Sequence, residues 1–394
     1  MERMLLSAKS FSSMNEVVDE QFFSQCAHEY SLSLISMLVD RFGSACAPDI
    51  GYLSAILEHP IASEFDPYWC PQLGLCLVAL KSNKLPAAQR GLSQIAINLL
   101  SSGIPGKWGS YFVEPSRFHF DNYMLPTALY LEIDSDGTRV RINVQGPDSR
   151  QDLCFNAIRN GHIQWQPTEE KPGVEAIPYM KIGHNRALLL SGPHCKDLGL
   201  PDPVLTGVPE VNESQKRHFS DSLALMYKHF PSWNSWFDRV VRVLSVGQKA
   251  PEGIHSGTTE GYFGLISISD SEDMLKIAES FIHEASHQYF FLLSRLVALT
   301  GDDGKLFYSP FTKSNRPADR LLLAYHAFTN VEIFYLECVK AGIDGGRCGP
   351  VLAQLKKELG YVQRVLSSEI DMTPVGQCIY DSLLAYRHSY GTTD

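Results

Sequence analysis

Between Met274 and Leu296 the apolar residues Met274, Ile277, Phe281, Ala285, Tyr289, Leu292 and Leu296 recur at three- and four-residue intervals, the pattern of an amphipathic helix. Set into that stripe is His283-Glu284-Ala285-Ser286-His287. Two imidazoles and a carboxylate on so apolar a helix constrain the fold more than any other segment. A buried polar group without a partner costs about 1–3 kcal/mol, so the surrounding chain must supply either a metal site or hydrogen bonds. Residues four apart project from one helix face about one turn apart. That spacing lets two imidazole nitrogens reach one ion at roughly 2.0–2.2 Å. Glu284 lies about 100° further round, beside such an ion rather than bound to it. The alternative is a pair of core histidines satisfied by ordinary hydrogen bonds. Ser269-Asp270-Ser271-Glu272 has the form of a capping box, which predicts that the helix begins there.

Two histidines do not complete a metal site. A zinc peptidase would add a third ligand downstream and use Glu284 as general base. The Gly and His that follow the second His in one large peptidase group are absent from Gln288 to Ala298. The best downstream candidate is His326, inside a second apolar-periodic segment from Asp319 to Ala341. Pro317 stands near its first turn and Gly342 just past its end, the usual punctuation of a helix. Arg316 precedes the proline and is therefore pushed to an extended backbone. Its guanidinium could clamp a carboxylate in bidentate fashion, or it could be an ordinary surface arginine. Glu332 and Glu337 are further carboxylates on this segment, but Glu332 lies about 240° round from His326 and does not share its face.

Around this motif the chain reads as α+β. The N-terminal region 1–110 is helical, with periodic segments Phe22–Arg41, ending near Gly43, and Gln89–Leu100, ending at Ser101-Ser102-Gly103. Connectors are expected around Ala47-Pro48 and Leu85-Pro86. A strand-rich, mixed region spans 111–237. There Ala128–Ile133 and Arg139–Val144 flank the turn Asp134-Ser135-Asp136-Gly137, a hairpin signal. His162–Trp165 and Arg186–Leu190 read as further strands and Ser214–His229 as a helix. The region 238–394 opens with strands Arg239–Val246 and Gly261–Ile268 and is helix-rich after Ser269, a zincin-like metal-binding region. No stretch approaches the ~18 apolar residues of a membrane helix, and the N-terminus lacks the form of a secretory signal. A net charge of −10 argues against a nucleic-acid surface, which needs clustered Lys and Arg. The nine cysteines are scattered with no CxxC pair, as expected of reduced thiols in the cytoplasm.

Ala278-Glu279-Ser280-Phe281-Ile282-His283-Glu284-Ala285-Ser286-His287-Gln288, followed by Phe307-Tyr308-Ser309-Pro310-Phe311, Arg316-Pro317 and Tyr325-His326-Ala327-Phe328, resembles the HExxH-type peptide β-hydroxylases of ribosomal peptide biosynthesis. The resemblance covers roughly Arg239 to Val339, and its specificity lies in the order of the later motifs, since HExxH alone is shared with many peptidases. It implies a non-haem Fe(II), 2-oxoglutarate-dependent oxygenase acting on a side chain of a precursor peptide. It further implies His283, His287 and His326 as iron ligands and Arg316 as the partner of the distal 2-oxoglutarate carboxylate. Three neutral imidazoles depart from the usual two-His-one-carboxylate set, and Glu284 would then orient a ligand or water rather than act as a hydrolytic base. Two alternatives stay open: a zinc metallopeptidase with Glu284 as base, and a non-catalytic, metal-stabilised peptide-binding protein.

Four other residues invite a functional reading. His119, among the aromatics of Arg117–Asp121, could line a cleft or be structural. His255 lies in a Gly-rich loop before the motif strand. Trp233 and Trp236, three apart, suit a buried helix face better than a peptide-binding surface.

Overall fold

The computed structural model describes residues 2–45, 69–160, 162–183, 185–201, 207–301, 304–343 and 346–392. The chain is mixed α+β, with helices at both ends and strands in the middle. It opens with α1 (Glu2–Lys9) and α2 (Glu20–Phe42); Asp19 caps α2 by accepting from Phe22 N–H, and Gly43 ends it at φ +54°. The predicted Ala47-Pro48 connector lies outside the described residues. After α3 (Leu73–Ser82) comes α4 (Leu85–Ser101). The connector expected around Leu85-Pro86 is Asn83-Lys84, and Leu85-Pro86 itself forms the first turn of α4. Proline is tolerated there because a first-turn N–H has no intrahelical acceptor to lose.

A five-stranded antiparallel sheet follows, in the order β1 (Gly106–Ser116), β4 (Ala128–Ser135), β5 (Arg139–Gln145), β6 (Arg150–Asn160) and β7 (His162–Pro167). Short strands β2 (His119–Phe120), β3 (Tyr123–Met124) and β8 (Glu175–Ala176) form a small sheet beside it. The expected β4–β5 hairpin forms, with Ile133 opposite Ile142 and Ser135 opposite Val140. Along β5 buried residues alternate with exposed or half-buried ones, because successive side chains point to opposite faces.

The second sheet positions the motif. Its order is β12 (Ser256–Gly257), β13 (Leu265–Ser269), β11 (Val243–Gly247), β10 (Asn185–Leu190) and β9 (Tyr179–Ile182). Strands β10, β11 and β13 run parallel, while β9 and β12 are antiparallel edges. Between β10 and β11 the chain forms α5 (Gly192–Asp197), α6 (Glu213–His229) and α7 (Asn234–Val240). All five residues of β11 and of β13 are buried, as parallel strands covered on both faces require. After β13 come α8 (Met274–Leu296), the hairpin β14 (Leu306–Ser309) and β15 (Ser314–Pro317), then α9 (Ala318–Lys340), α10 (Cys348–Ser368) and α11 (Pro374–Ser389).

Three boundaries near the motif differ from the sequence reading. Gly261 and Gly264 have φ of +90° and +83°, a left-handed backbone that keeps residues 261–264 out of the strand. Residues 239–240 end α7, so the preceding strand begins only at Val243. Ser269 does not start α8. It is the last residue of β13 and its hydroxyl accepts from His255 N–H at 2.9 Å. The cap is Asp273, which accepts from the N–H groups of Leu275 and Lys276, and Glu272 pairs with Lys249 instead.

Among the described residues no helix is long and apolar enough to cross a membrane. No disulfide joins the described cysteines, most of which are buried.

His119 is a buried part of this framework. Gln94 clamps its backbone in both directions, at 2.8 and 3.1 Å, and its Nδ1–H donates to the Asp121 carbonyl at 3.1 Å. Burial pushes its pKa from 6.5 down to about 4, with the hydrogen bond opposing. The folded ring thus resists a proton that the unfolded chain takes up. The unfolded state binds more protons below pH 6.5, so stability falls as pH drops from 6.5 towards 4. His119→Gln should remove up to about 3 kcal/mol of that acid loss, read as the difference in urea unfolding free energy between pH 7 and pH 4.5. An identical pH dependence in variant and parent would show that His119 is not held neutral.

Candidate metal centre

The rotation of α8 is set on its sheet-facing side. Gln288, fully buried, accepts from Gly264 N–H at 3.0 Å and donates to the Leu265 carbonyl at 2.9 Å. One turn earlier on that face, Glu284 Oε1 accepts from the Ser256 hydroxyl of β12 at 2.6 Å. Glu284 Oε2 is buried and has no hydrogen-bond partner among the described residues. With these two residues turned to the sheet, His283 and His287 face about 100° away, towards α9.

Their ring centroids are 4.5 Å apart. His283 meets Phe328 at 4.7 Å, and Phe328 stacks on Phe311 at 3.9 Å. His287 lies against Phe291 at 5.8 Å. Helices α8 and α9 run antiparallel: Glu279 near the start of α8 accepts from Tyr335 late in α9, and Arg320 at the start of α9 lies over Phe291. His326 is therefore on the facing helix, with its ring 5.9 Å from Phe290 and 6.4 Å from Trp236.

A segment far away in sequence holds His326. Its Nε2 lies 2.9 Å from the Phe11 carbonyl; a carbonyl only accepts, so Nε2 carries the proton and Nδ1 keeps its lone pair. Asn330, one turn on, donates to the Ser12 carbonyl at 3.0 Å and accepts from Met14 N–H at 3.2 Å. Phe11 to Met14 is thereby clamped along α9. Sequence reasoning missed this contact. The one available signal was Asn330, an amide four residues from His326 on an apolar helix.

All three imidazoles are held neutral. Burial lowers the pKa of His283, against the opposing charge of Glu284. Burial lowers that of His287 furthest, helped by His283, His326 and Arg320. It brings His326 down to about 4, with the backbone hydrogen bonds opposing. Only a neutral imidazole has a lone pair for a metal. The Nδ1 atoms of His287 and His326 are buried without a hydrogen-bond partner among the described residues. These donors fit a divalent metal that favours imidazole. Among the described residues, however, no group of three or more His, Cys, Asp or Glu is arranged to hold a metal ion.

The remaining residues separate clearly. Arg316 is exposed on β15, its Nε–H 3.4 Å from the Thr312 hydroxyl. Arg320 is nearer the pair, its guanidinium 5.6 Å above Phe291 and joined to Glu260, which also takes Arg295. Glu337 is engaged by Lys340 at 2.9 Å and Tyr390 at 2.6 Å. His255 donates its backbone N–H to Ser269. Trp233 and Trp236 are core residues: the first donates to Asn15 Oδ1 at 2.8 Å and the second packs on Tyr289 at 4.0 Å.

No model of a known protein family matches the chain, and no curated protein is significantly similar to it.

Glu332 is the strongest rival ligand on α9, and it is already committed. It accepts from Arg387 Nε at 2.8 Å, with both side chains 1% exposed. Removing one member of such a pair leaves a buried charge alone. Glu332→Ala should lower unfolding stability by about 3–5 kcal/mol, measured by denaturant titration, and should leave metal uptake per folded molecule unchanged. Loss of metal from folded Glu332→Ala would return it to the ligand set.

Proposed function

We propose that this chain is a non-haem Fe(II), 2-oxoglutarate-dependent oxygenase that hydroxylates the β-carbon of a residue in a ribosomally made precursor peptide. The observation that carries this reading is the pair of neutral imidazoles, half-buried His287 and buried His326, whose buried Nδ1 atoms have no hydrogen-bond partner among the described residues. The reading gives His283, His287 and His326 as the metal ligands of a zincin-like C-terminal region. When bound, iron with 2-oxoglutarate supplies the oxidising chemistry that converts a C–H to a C–OH.

The protein's own groups then bind and orient. The Phe11 carbonyl fixes the tautomer of His326, as backbone acceptors commonly do behind a metal-bound imidazole. Ser256 holds one oxygen of Glu284, so that carboxylate can position a water or a ligand without turning. Arg316 offers an exposed guanidinium that meets Thr312, and its fork suits the distal carboxylate of 2-oxoglutarate. The phenyl wall of Phe291, Phe311 and Phe328 beside the histidine pair keeps water away from the reacting carbon. The described cysteines, none of them in a disulfide, suit a cytoplasmic enzyme.

A zinc peptidase remains the second reading, because a buried carboxylate oxygen with no partner beside two histidines is also what a hydrolytic base needs. Glu284→Gln separates the two. In the oxygenase this variant should still convert 2-oxoglutarate to succinate at a measurable rate. In a peptidase, loss of the base should cut turnover by about 10²–10⁴. The wild type should add one oxygen to a peptide only when Fe(II), dioxygen and 2-oxoglutarate are all present, and should leave the backbone intact. Peptide cleavage by zinc-loaded protein without 2-oxoglutarate would refute the oxygenase.

Two variants test the residue roles. His326→Ala should remove most bound iron, by elemental analysis, to the same extent as His287→Ala. Arg316→Ala should retain iron while weakening 2-oxoglutarate by a few kcal/mol, on the order of what an unpaired charged contact costs. Unchanged 2-oxoglutarate affinity would transfer the role to Arg320.

A further inference from the structure

Away from the histidines, a cavity of about 490 Å³ opens beside the N-terminal helices. Its size lies within the roughly 300–1,000 Å³ range of ligand sites. No residue of α8 or α9 lines it, so it is separate from the metal helix. Its lining comes from the turn ahead of α3, the end of α4, the loop after β2, and strands β7, β9 and β10.

Gln72, in the turn ahead of α3, is the exceptional member of this wall. It is 1% exposed, yet neither its amide oxygen nor its amide nitrogen has a hydrogen-bond partner among the described residues. It stands at the N-cap position of α3, but its side chain makes no capping hydrogen bond. Its main-chain carbonyl is taken up by α3, accepting from Leu75 N–H at 3.0 Å and Cys76 N–H at 3.3 Å. The carboxamide is therefore the part of the residue left to serve the cavity. A buried amide without counterparts is costly, so this one marks a place for a ligand's polar groups.

The other buried glutamines among the described residues, Gln89, Gln94, Gln215 and Gln288, show what such a group is used for in this fold. Each of them meets main chain. Gln94 accepts from His119 N–H at 3.1 Å and donates to the carbonyl of the same residue at 2.8 Å. Gln288 likewise bridges the Gly264 N–H and the Leu265 carbonyl. Gln89 accepts from Val113 N–H at 3.3 Å and donates to the Ala45 carbonyl at 3.1 Å. Gln215 accepts from Asn212 N–H at 3.0 Å. A carboxamide carries its donor and acceptor side by side. The N–H and C=O of an extended residue point the same way from a strand, so the two groups match. The Gln94 clamp on His119, itself in the cavity wall, is that match made within one chain.

We infer that this cavity is a docking site for an extended peptide segment, whose main chain Gln72 clamps as Gln94 clamps His119. Strands β7 and β9 are each outermost in their sheets. An outermost strand carries main-chain groups that its own sheet does not pair, which an extended peptide can meet. The clamp contacts backbone and no side chain, so it selects an extended conformation rather than a particular residue. The site needs neither iron nor the reaction proposed above.

Titration calorimetry with the full chain tests the assignment. The probes are N-acetyl-Ala-Xaa-Ala-N-methylamides with Val, Glu or Lys at Xaa, and propionamide is the small-amide control. Saturable binding of at least one peptide is expected, at least about tenfold tighter than propionamide, because a peptide meets more than one polar group. Ester analogues of the tightest peptide, each with one N–H replaced by oxygen, probe the clamp in the unaltered protein. One of them should bind about tenfold more weakly, as loss of a buried hydrogen bond implies. In Gln72→Leu the peptide should weaken by about the same factor, and the difference between amide and ester should vanish. Binding should persist in the iron-free His283→Ala/His287→Ala double variant, which separates this site from the metal reading. The inference is overturned by no saturable binding of any peptide, by equal affinity for propionamide or for every ester, or by loss of binding in the double variant. The ester series decides it whether or not Gln72→Leu folds.

Discussion

The two hydrogen bonds between Gln288 and the backbone at Gly264 and Leu265 fix how α8 is turned on its sheet, and the rest of the site follows from that rotation. A fully buried side-chain amide must find partners, and here it finds them on the turn that feeds β13. Gly264 is at φ +83°, a conformation few other residues would adopt. The turn thus presents an N–H and a carbonyl together. With Gln288 and Glu284 facing the sheet, helical geometry leaves His283 and His287 nowhere to face but the α8–α9 interface. Rotating α8 by one residue would bury the histidines against β13 and break the glutamine's bonds.

The opposing wall of that interface is ordered from the other end of the chain. Phe11, Ser12 and Met14 supply backbone groups to His326 and Asn330, and Phe11 packs on Tyr289 at 5.1 Å. The N-terminal segment is therefore part of the candidate centre although the resemblance in sequence begins only near Arg239. The same burial that makes the imidazoles poor bases keeps them neutral. That is costly to a core histidine without partners and useful to a ligand. It also explains why Glu332 is excluded from the site's chemistry: the Arg387 guanidinium meets it inside the protein.

Most of the regular elements near the motif were legible in the sequence because their apolar residues recur with the period of the element. The β4–β5 hairpin and α6 have an exposed face, and α8 and α9, though buried or half-buried along almost their whole length, still carry an apolar stripe, so period reveals them. The errors fall where a local rule had a competitor. Ser269 has the chemistry of a cap but is used by the sheet. Pro86 has the chemistry of a connector but fits a helix's first turn equally well. Residues 239–246 are mostly apolar and all buried, and such a run does not distinguish the end of a helix from the start of a buried strand.

By itself the sequence determined that His283 and His287 share a helix face, that Glu284 lies off it, and that a second helix carries His326. Spacing alone dictates these, since helical geometry is local. Tertiary structure decided the rest: that Glu284 meets Ser256, that Glu332 meets Arg387, that Phe11 orients His326, and that Arg320 rather than Arg316 approaches His287. Each of these pairs residues from separate elements. Their meeting depends on how helices and sheets pack, and no periodicity along the chain records it.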